Sequence, residues 1–184
     1  MARAASSRRY AQAVFQIALE RDALEVWTGD LKVLATWLEN RELAGLLNAP
    51  QIPAAAKVQT IDDLLGDSVD QLAKNLLAVL ATRNLAYLLS AVADEFSRLV
   101  DEQSGIIRGE VVSAILLNDD QSDSIAQVLS DLVGSPVRLL RSIDTGIIGG
   151  IVARVGDRVI DGSVLTKLRE MRRSVAKETG QVRR

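Results

Sequence analysis

A chain of 184 residues with 48 % hydrophobic and 25 % charged side chains can bury a sizeable core, which excludes disorder throughout. It contains no Cys and no His, so disulfides, thiolate chemistry and the commonest neutral-pH proton shuttle are all absent, and catalysis is disfavoured. A formal charge of −2 gives no global attraction to nucleic acid, and with only 3 % aromatics the core must be built from Leu, Val, Ile and Ala, a composition suited to closely packed helices.

From Ser7 to Gly105 the apolar spacing is helical almost throughout and predicts six helices. The first places Tyr10, Val14 and Ile17 on one face. Arg3, Arg8 and Arg9, with no acid before Glu20, give this start a faint likeness to an organellar transit segment, but the stripe is one the folded protein needs and that reading is preferred. The second helix carries Leu24, Trp27, Leu31, Leu34 and Leu38. A short third around Leu43, Leu46 and Leu47 ends before Pro50, and Pro53 opens a fourth bearing Val58, Ile61 and Leu65. Ser68 is expected to begin the fifth, with Leu72, Leu76, Val79 and Leu80. Arg83-Asn84 then interrupts before Leu85, Leu88, Val92, Phe96 and Leu99 form the sixth, and Gly105 stops it. No apolar run approaches the roughly 20 residues that span a bilayer.

Beyond Gly105 the pattern alternates, with Ile107, Gly109, Val111 and Ser113 on one side of a strand and Arg108, Glu110 and Val112 on the other. Asp119 or Asp120 is expected to cap a helix carrying Ile125, Val128, Leu129 and Leu132; Gly134-Ser135-Pro136 ends it, and Val137 to Ile143 reads as a second strand. Val152, Arg154, Arg158 and Ile160 flank a two-residue turn, Gly156-Asp157, in which Gly supplies the positive φ of a tight hairpin. Asp161-Gly162-Ser163 then turns into a final helix with Val164, Leu168, Met171 and Val175 on one face; Ser163 is its expected N-cap and Gly162 its expected positive-φ residue. The fold class is therefore α+β: an N-terminal six-helix bundle over residues 1–104 and a small C-terminal α/β domain over residues 105–184.

Three features invite chemistry, and each has a simpler structural explanation. Gly146 to Gly150 matches neither phosphate-binding glycine pattern and leads into a strand where a phosphate loop leads into a helix. Asp144, Asp157 and Asp161 resemble a metal cluster only in composition, since aspartates at turns commonly bond their own backbone. Ser163 has no histidine to activate it; a Ser-Lys pair with Lys167 is conceivable, yet N-capping explains it without further assumption. No catalytic, metal or cofactor-binding residue is assigned. The basic run Lys167, Arg169, Arg172, Arg173, Lys177, Arg183 and Arg184 reads either as a solvated helix and tail or as a steering surface.

The paired glycines Gly149-Gly150 followed by Gly156-Asp157-Arg158-Val159-Ile160-Asp161-Gly162-Ser163-Val164 resemble the C-terminal signature of the delta subunit of F-type ATP synthases, whose mitochondrial relative is the oligomycin-sensitivity-conferring protein. Arg9-Tyr10-Ala11-Gln12-Ala13-Val14-Phe15 is similar to that family's opening helix and Asn75-Leu76-Leu77-Ala78-Val79-Leu80 to its middle, so the resemblance covers nearly the whole chain. Asp144-Thr145-Gly146 stands where a Pro-Ser type pair is common, and the local turn is expected to differ.

The resemblance implies a non-catalytic stator subunit of a proton-translocating rotary ATP synthase. Its bundle would receive the N-terminal helix of the catalytic head's alpha subunit between the first and fifth helices, and its C-terminal domain would engage the C-terminus of the b subunit in the peripheral stalk. Carried onto this chain, the groove falls on Tyr10, Ala13 and Val79, with Val14, Ile17, Leu76 and Arg83 beside them. The stalk surface is expected at the hairpin and the final helix, whose apolar residues have burial within the domain as their other explanation. Membrane association would be indirect, at the cytoplasmic face of a bacterial plasma membrane, which the short start favours over a thylakoid or mitochondrial inner membrane. From the residues alone the second reading is a generic helical adaptor with a basic tail, acting with nucleic acid. The chain lacks the interleaved aromatics of a single-strand stacking platform, and no nucleic-acid partner is expected.

Overall fold

The structure is a computed structural model that describes the backbone of residues 2–181 and the side chains of residues 6–172. In chain order it contains α1 (Ala2–Glu20), α2 (Leu24–Trp37), α3 (Arg41–Asn48), α4 (Ala54–Leu65), α5 (Gln71–Thr82), a 3-10 turn (Ala86–Leu88) and α6 (Leu89–Gln103). There follow β1 (Ile107–Ser113), α7 (Asp119–Val133), β2 (Val137–Ile143), β3 (Ile151–Val155), β4 (Arg158–Asp161) and α8 (Val164–Gln181). The class is α+β, and the chain divides into two compact units, Met1–Val100 and Asp101–Arg184. Among the described residues no helix is long and apolar enough to cross a membrane.

The first unit closes over alanine and leucine. In α1 the buried apolar residues are Ala11, Val14, Phe15 and Ala18, a stripe turned from the expected one, so Ile17 is 39 % exposed. Small side chains at Ala11 and Ala18 allow close helix approach, and the volume they leave is filled by Trp27, Leu31 and Leu34 of α2, Leu76, Leu77 and Leu80 of α5, and Leu89, Val92 and Phe96 of α6. Phe96 meets Phe15 edge-on at 6.0 Å and Trp27 at 6.4 Å, so three of the chain's few aromatic rings meet at one point.

The helix ends explain where the observed boundaries differ from the expected ones. Ser68 does not start α5: its N–H donates to the carbonyl of Leu65 in the turn that closes α4, and the cap is Asp70, whose carboxylate accepts from the N–H of Leu72 at 2.8 Å. Likewise α7 is capped by Asn118, one residue ahead of Asp119, because its amide and the side chain of Gln121 each accept from the other residue's backbone N–H, forming a capping box. Two lysines serve helix C-termini from inside the unit. Lys57, 1 % exposed, donates to the carbonyl of Ala81 at 3.0 Å and to Asn84 Oδ1 at 2.6 Å, and Lys74 donates to the carbonyl of Gly66 at 2.9 Å.

The second unit is a four-stranded sheet of order β2-β1-β3-β4. β1 and β2 are parallel, joined through α7, and the remaining pairings are antiparallel. The alternation expected in β1 holds: Gly109, Val111 and Ser113 are buried on the face that packs with Val137, Ala153, Val155 and, from α7, Leu129. A Cβ at Gly109 would lie 3.0 Å from methyl groups of both Leu139 and Val155, so these side chains are packed close over the glycine. Asp101, 1 % exposed, is held by Arg108 at 2.6 Å and by Arg138.

The hairpin forms where the spacing predicts it, with Val155 opposite Arg158 and Gly156 at φ 56°. Gly162, however, does not take positive φ. Its N–H donates to the carbonyl of Ile151 at 2.9 Å, extending the β3–β4 pairing, and the left-handed residue is Gly150 at φ 80°, where the chain enters β3. A Cβ at Gly150 would run into the carbonyl oxygen of Gly162 and lie 3.1 Å from Ser163 Cα. Gly149 adds a second contact, its carbonyl accepting from the N–H of Val164 at 2.9 Å. Gly150→Ala is therefore expected to cost more than about 1 kcal/mol of unfolding free energy in urea denaturation, through both positive φ and backbone collision, while Gly156→Asn, which meets no neighbouring atom and tolerates a left-handed conformation, costs less.

Candidate functional site

With Ala11, Val14, Phe15 and Ala18 turned inward, α1 leaves Tyr10 half-buried and Ala13 and Ile17 exposed. On α5, burial of Ala73, Leu76, Leu77, Leu80 and Ala81 leaves Val79 43 % exposed and Arg83 exposed. Arg83 Nη1 donates to the Tyr10 hydroxyl at 3.5 Å, a contact spanning 73 residues of sequence that joins the two helices at one end. The seven expected groove residues thus separate into layers. Val14 and Leu76 are core residues, 4 % and 8 % exposed; Tyr10 and Arg83 meet each other; Ala13, Ile17 and Val79 offer small or apolar side chains to solvent. Exposed apolar side chains on two helices joined by a polar contact can accept an amphipathic helix.

The signature residues of the second unit have structural duties. Ser163 caps α8, its Oγ accepting from the N–H of Thr166 at 3.3 Å. Asp161 accepts from the Ser163 N–H at 2.9 Å and from the Thr166 hydroxyl at 2.7 Å, and these bonds hold its carboxyl below the usual carboxylate range, the Ser163 backbone bond contributing most. Asp144 accepts from the Gly146 N–H at 2.8 Å, a local turn of its own. Asp157 sits in the β3–β4 turn. These aspartates are turn and cap residues, and the Ser163 hydroxyl is a cap acceptor.

Beyond this cap α8 carries Val164, Leu168 and Met171 at 40 %, 54 % and 62 % exposure, so these apolar side chains are not buried within the unit. The side chains of Arg173, Val175 and Lys177, and the whole of Arg183 and Arg184, lie outside the described residues. Sequence reasoning missed Lys57, Lys74 and Asp101, since a buried charge in an amphipathic helix carries no period that marks it; the Arg83-Asn84 break was the one visible sign that the end of α5 needed a special partner.

The family model "ATP synthase delta (OSCP) subunit" matches residues 7–175. An ATP synthase subunit delta from Chlorobaculum tepidum is 35 % identical over 176 residues, covering 95 % of this chain and 97 % of the relative. One from Desulforamulus reducens is 34 % identical over 180 residues, covering 97 % and 99 %. The chain belongs to the ATP synthase delta (OSCP) subunit family. As a member it is a non-catalytic stator component of the peripheral stalk of an F-type ATP synthase, which replaces the generic adaptor reading. A chain of the Toxoplasma gondii mitochondrial ATP synthase hexamer, seen by cryo-electron microscopy, shares the fold at 24 % identity with a TM-score of 0.63, covering 92 % of this chain and 97 % of that one.

Asp161 sets an acid limit on the start of α8 in this delta-family chain. Its folded pKa lies below the ordinary value of 3.8, so the capping contribution is complete above that value and is lost as the pH falls through the lower folded value. NMR is expected to show the Ser163 and Thr166 amide resonances moving together in that acid window, and Asp161→Asn is expected to remove the titration.

Proposed function

We propose that the α1–α5 strip is the docking groove for the N-terminal amphipathic helix of the alpha subunit, with Tyr10, Ala13, Ile17, Val79 and Arg83 in contact with it and Val14 and Leu76 forming its floor. The carrying observation is the exposed apolar pair Ile17 and Val79 on helices joined by the Tyr10–Arg83 contact. In this reading the six helices of residues 1–104 act as one bundle on the catalytic head, and residues 105–184 form the stalk-binding domain. The hairpin and the exposed face of α8 take the C-terminus of the b subunit, and the basic residues of α8 steer an acidic stalk helix. Because one chain carries both surfaces, the second engagement is effectively intramolecular, and loss of either weakens anchoring disproportionately. The head is thereby kept from turning with the rotor, so that torque drives ATP synthesis. Association with the membrane is indirect, at the cytoplasmic face of a bacterial plasma membrane.

Calorimetric titration with a peptide from the N-terminus of the alpha subunit of the same organism is expected to give one-to-one binding. Val79→Asp should weaken it at least about tenfold while changing stability by no more than about 0.5 kcal/mol, because Val79 is partly exposed. Absence of binding by the folded wild type would reject the groove. For the second surface, affinity for a peptide from the C-terminus of the b subunit is expected to fall as salt rises; a flat salt titration removes the steering role.

A further inference from the structure

Lys57 belongs to neither helix of the proposed groove, yet its side chain ends inside the last turn of α5. It leaves α4, is 1 % exposed, and delivers Nζ to the Ala81 carbonyl and to Asn84 Oδ1. Both acceptors belong to the stop signal of α5. Asn84 stands at φ 57°, its N–H donates to the Ala81 carbonyl at 3.0 Å, and the Leu85 N–H donates to the Leu80 carbonyl at 2.8 Å, the two bonds of a left-handed helix stop. The Ala81 carbonyl thus accepts from Lys57 as well as from the backbone. Asn is at a position where a side chain is ordinarily disfavoured, and here its amide oxygen has a use that glycine cannot supply. Arg83, the residue that reaches Tyr10, sits immediately between Thr82 and Asn84.

We propose that Lys57 and Asn84 are positioning residues for the docking groove. By gripping the α5 terminus, they fix the direction in which Arg83 leaves the helix and so keep the Arg83–Tyr10 end of the groove in its receptive form. Burial supports this role over a purely electrostatic one: an amino group held away from water, bonded to two acceptors on one turn, has few alternative geometries. The inference rests on the docking reading above and adds that the receptive shape of the groove depends on α4.

The test uses the full-length protein and four variants. Asn84→Gly keeps the left-handed conformation and removes only the acceptor; Asn84→Asp keeps an acceptor for Lys57; Lys57→Met with Asn84→Gly removes both polar groups, so that neither is left buried without its partner; Val79→Asp reports on the groove itself. Affinity for the peptide from the N-terminus of the alpha subunit is expected to fall about tenfold in Asn84→Gly and in the double variant, and to stay within about twofold of wild type in Asn84→Asp. In the unliganded protein, NMR is expected to show the Tyr10 ring and Arg83 side-chain resonances shifted in Asn84→Gly and restored in Asn84→Asp, with those of Phe15 and Phe96 unmoved. A merely stabilising role would lower the unfolding temperature without this local pattern. Unchanged Tyr10 and Arg83 resonances in Asn84→Gly, or wild-type affinity in that variant while Val79→Asp abolishes binding, would overturn the inference and leave the docking reading standing. A folded wild type that binds no peptide would overturn both.

Discussion

Every helix that ends inside a folded protein leaves carbonyls without intrahelical donors, and in the first unit that constraint fixes how α5 ends. The end of α5 has to stop, to satisfy Leu80 and Ala81, and to leave Val79 and Arg83 facing outward. A glycine at position 84 would make the same two backbone bonds to Leu80 and Ala81 but would offer Lys57 no side-chain acceptor. Asn84 adds that acceptor, and Lys57 reaches it from the core side. Lys74 repeats the solution at Gly66, where α4 ends. Two of the chain's cations thus act inside the unit as helix-end donors, and the outer surfaces of α1 and α5 are left free of that duty.

The second unit meets a different constraint. Its sheet must release α8 without covering it, and it does so by pressing two backbone segments together: Gly149-Gly150 on the way into β3, and Gly162-Ser163-Val164 on the way out of β4. No side chain fits at Gly150, and the hydrogen bond from Val164 back to Gly149 fastens the first residue of the helix to the segment that enters β3. Ser163 then accepts from the Thr166 N–H of α8, and Asp161 holds this cap by accepting from the Ser163 N–H and the Thr166 hydroxyl. The run that makes this family recognisable is accordingly a mechanical joint. Its glycines and aspartates are needed for backbone approach and capping, and no reaction is required to explain them.

The elements are legible in the sequence wherever a period or a turn residue is strong. The β1 alternation and the Gly156 turn follow from the spacing alone, and both occur where expected. Boundaries are less legible because several residues compete for each cap. Asn118 wins over Asp119 through its reciprocal bond with Gln121, and Asp70 wins because Ser68 is already engaged in the turn after α4. The α1 stripe departs from the expected one for a related reason. Alanine carries little weight in an apolar pattern, yet Ala11 and Ala18 are both fully buried while Ile17 is not. In a core with two Phe and two Trp, the smallest residues set which face turns inward, and a pattern weighted toward large side chains points to the wrong stripe.

That shift in the stripe bears on function. Were Tyr10, Val14 and Ile17 all core residues, neither Tyr10 nor Ile17 would be available to a partner. With alanines taking the buried positions, Ile17 and the edge of Tyr10 become available with little loss of packing, because close helix approach replaces the lost side-chain volume with backbone contact. The same arrangement operates in α5, where Ala73 and Ala81 are buried and Val79 is not. An alanine-rich helical unit is therefore suited to carrying exposed apolar residues such as Ile17 and Val79 without loosening its core.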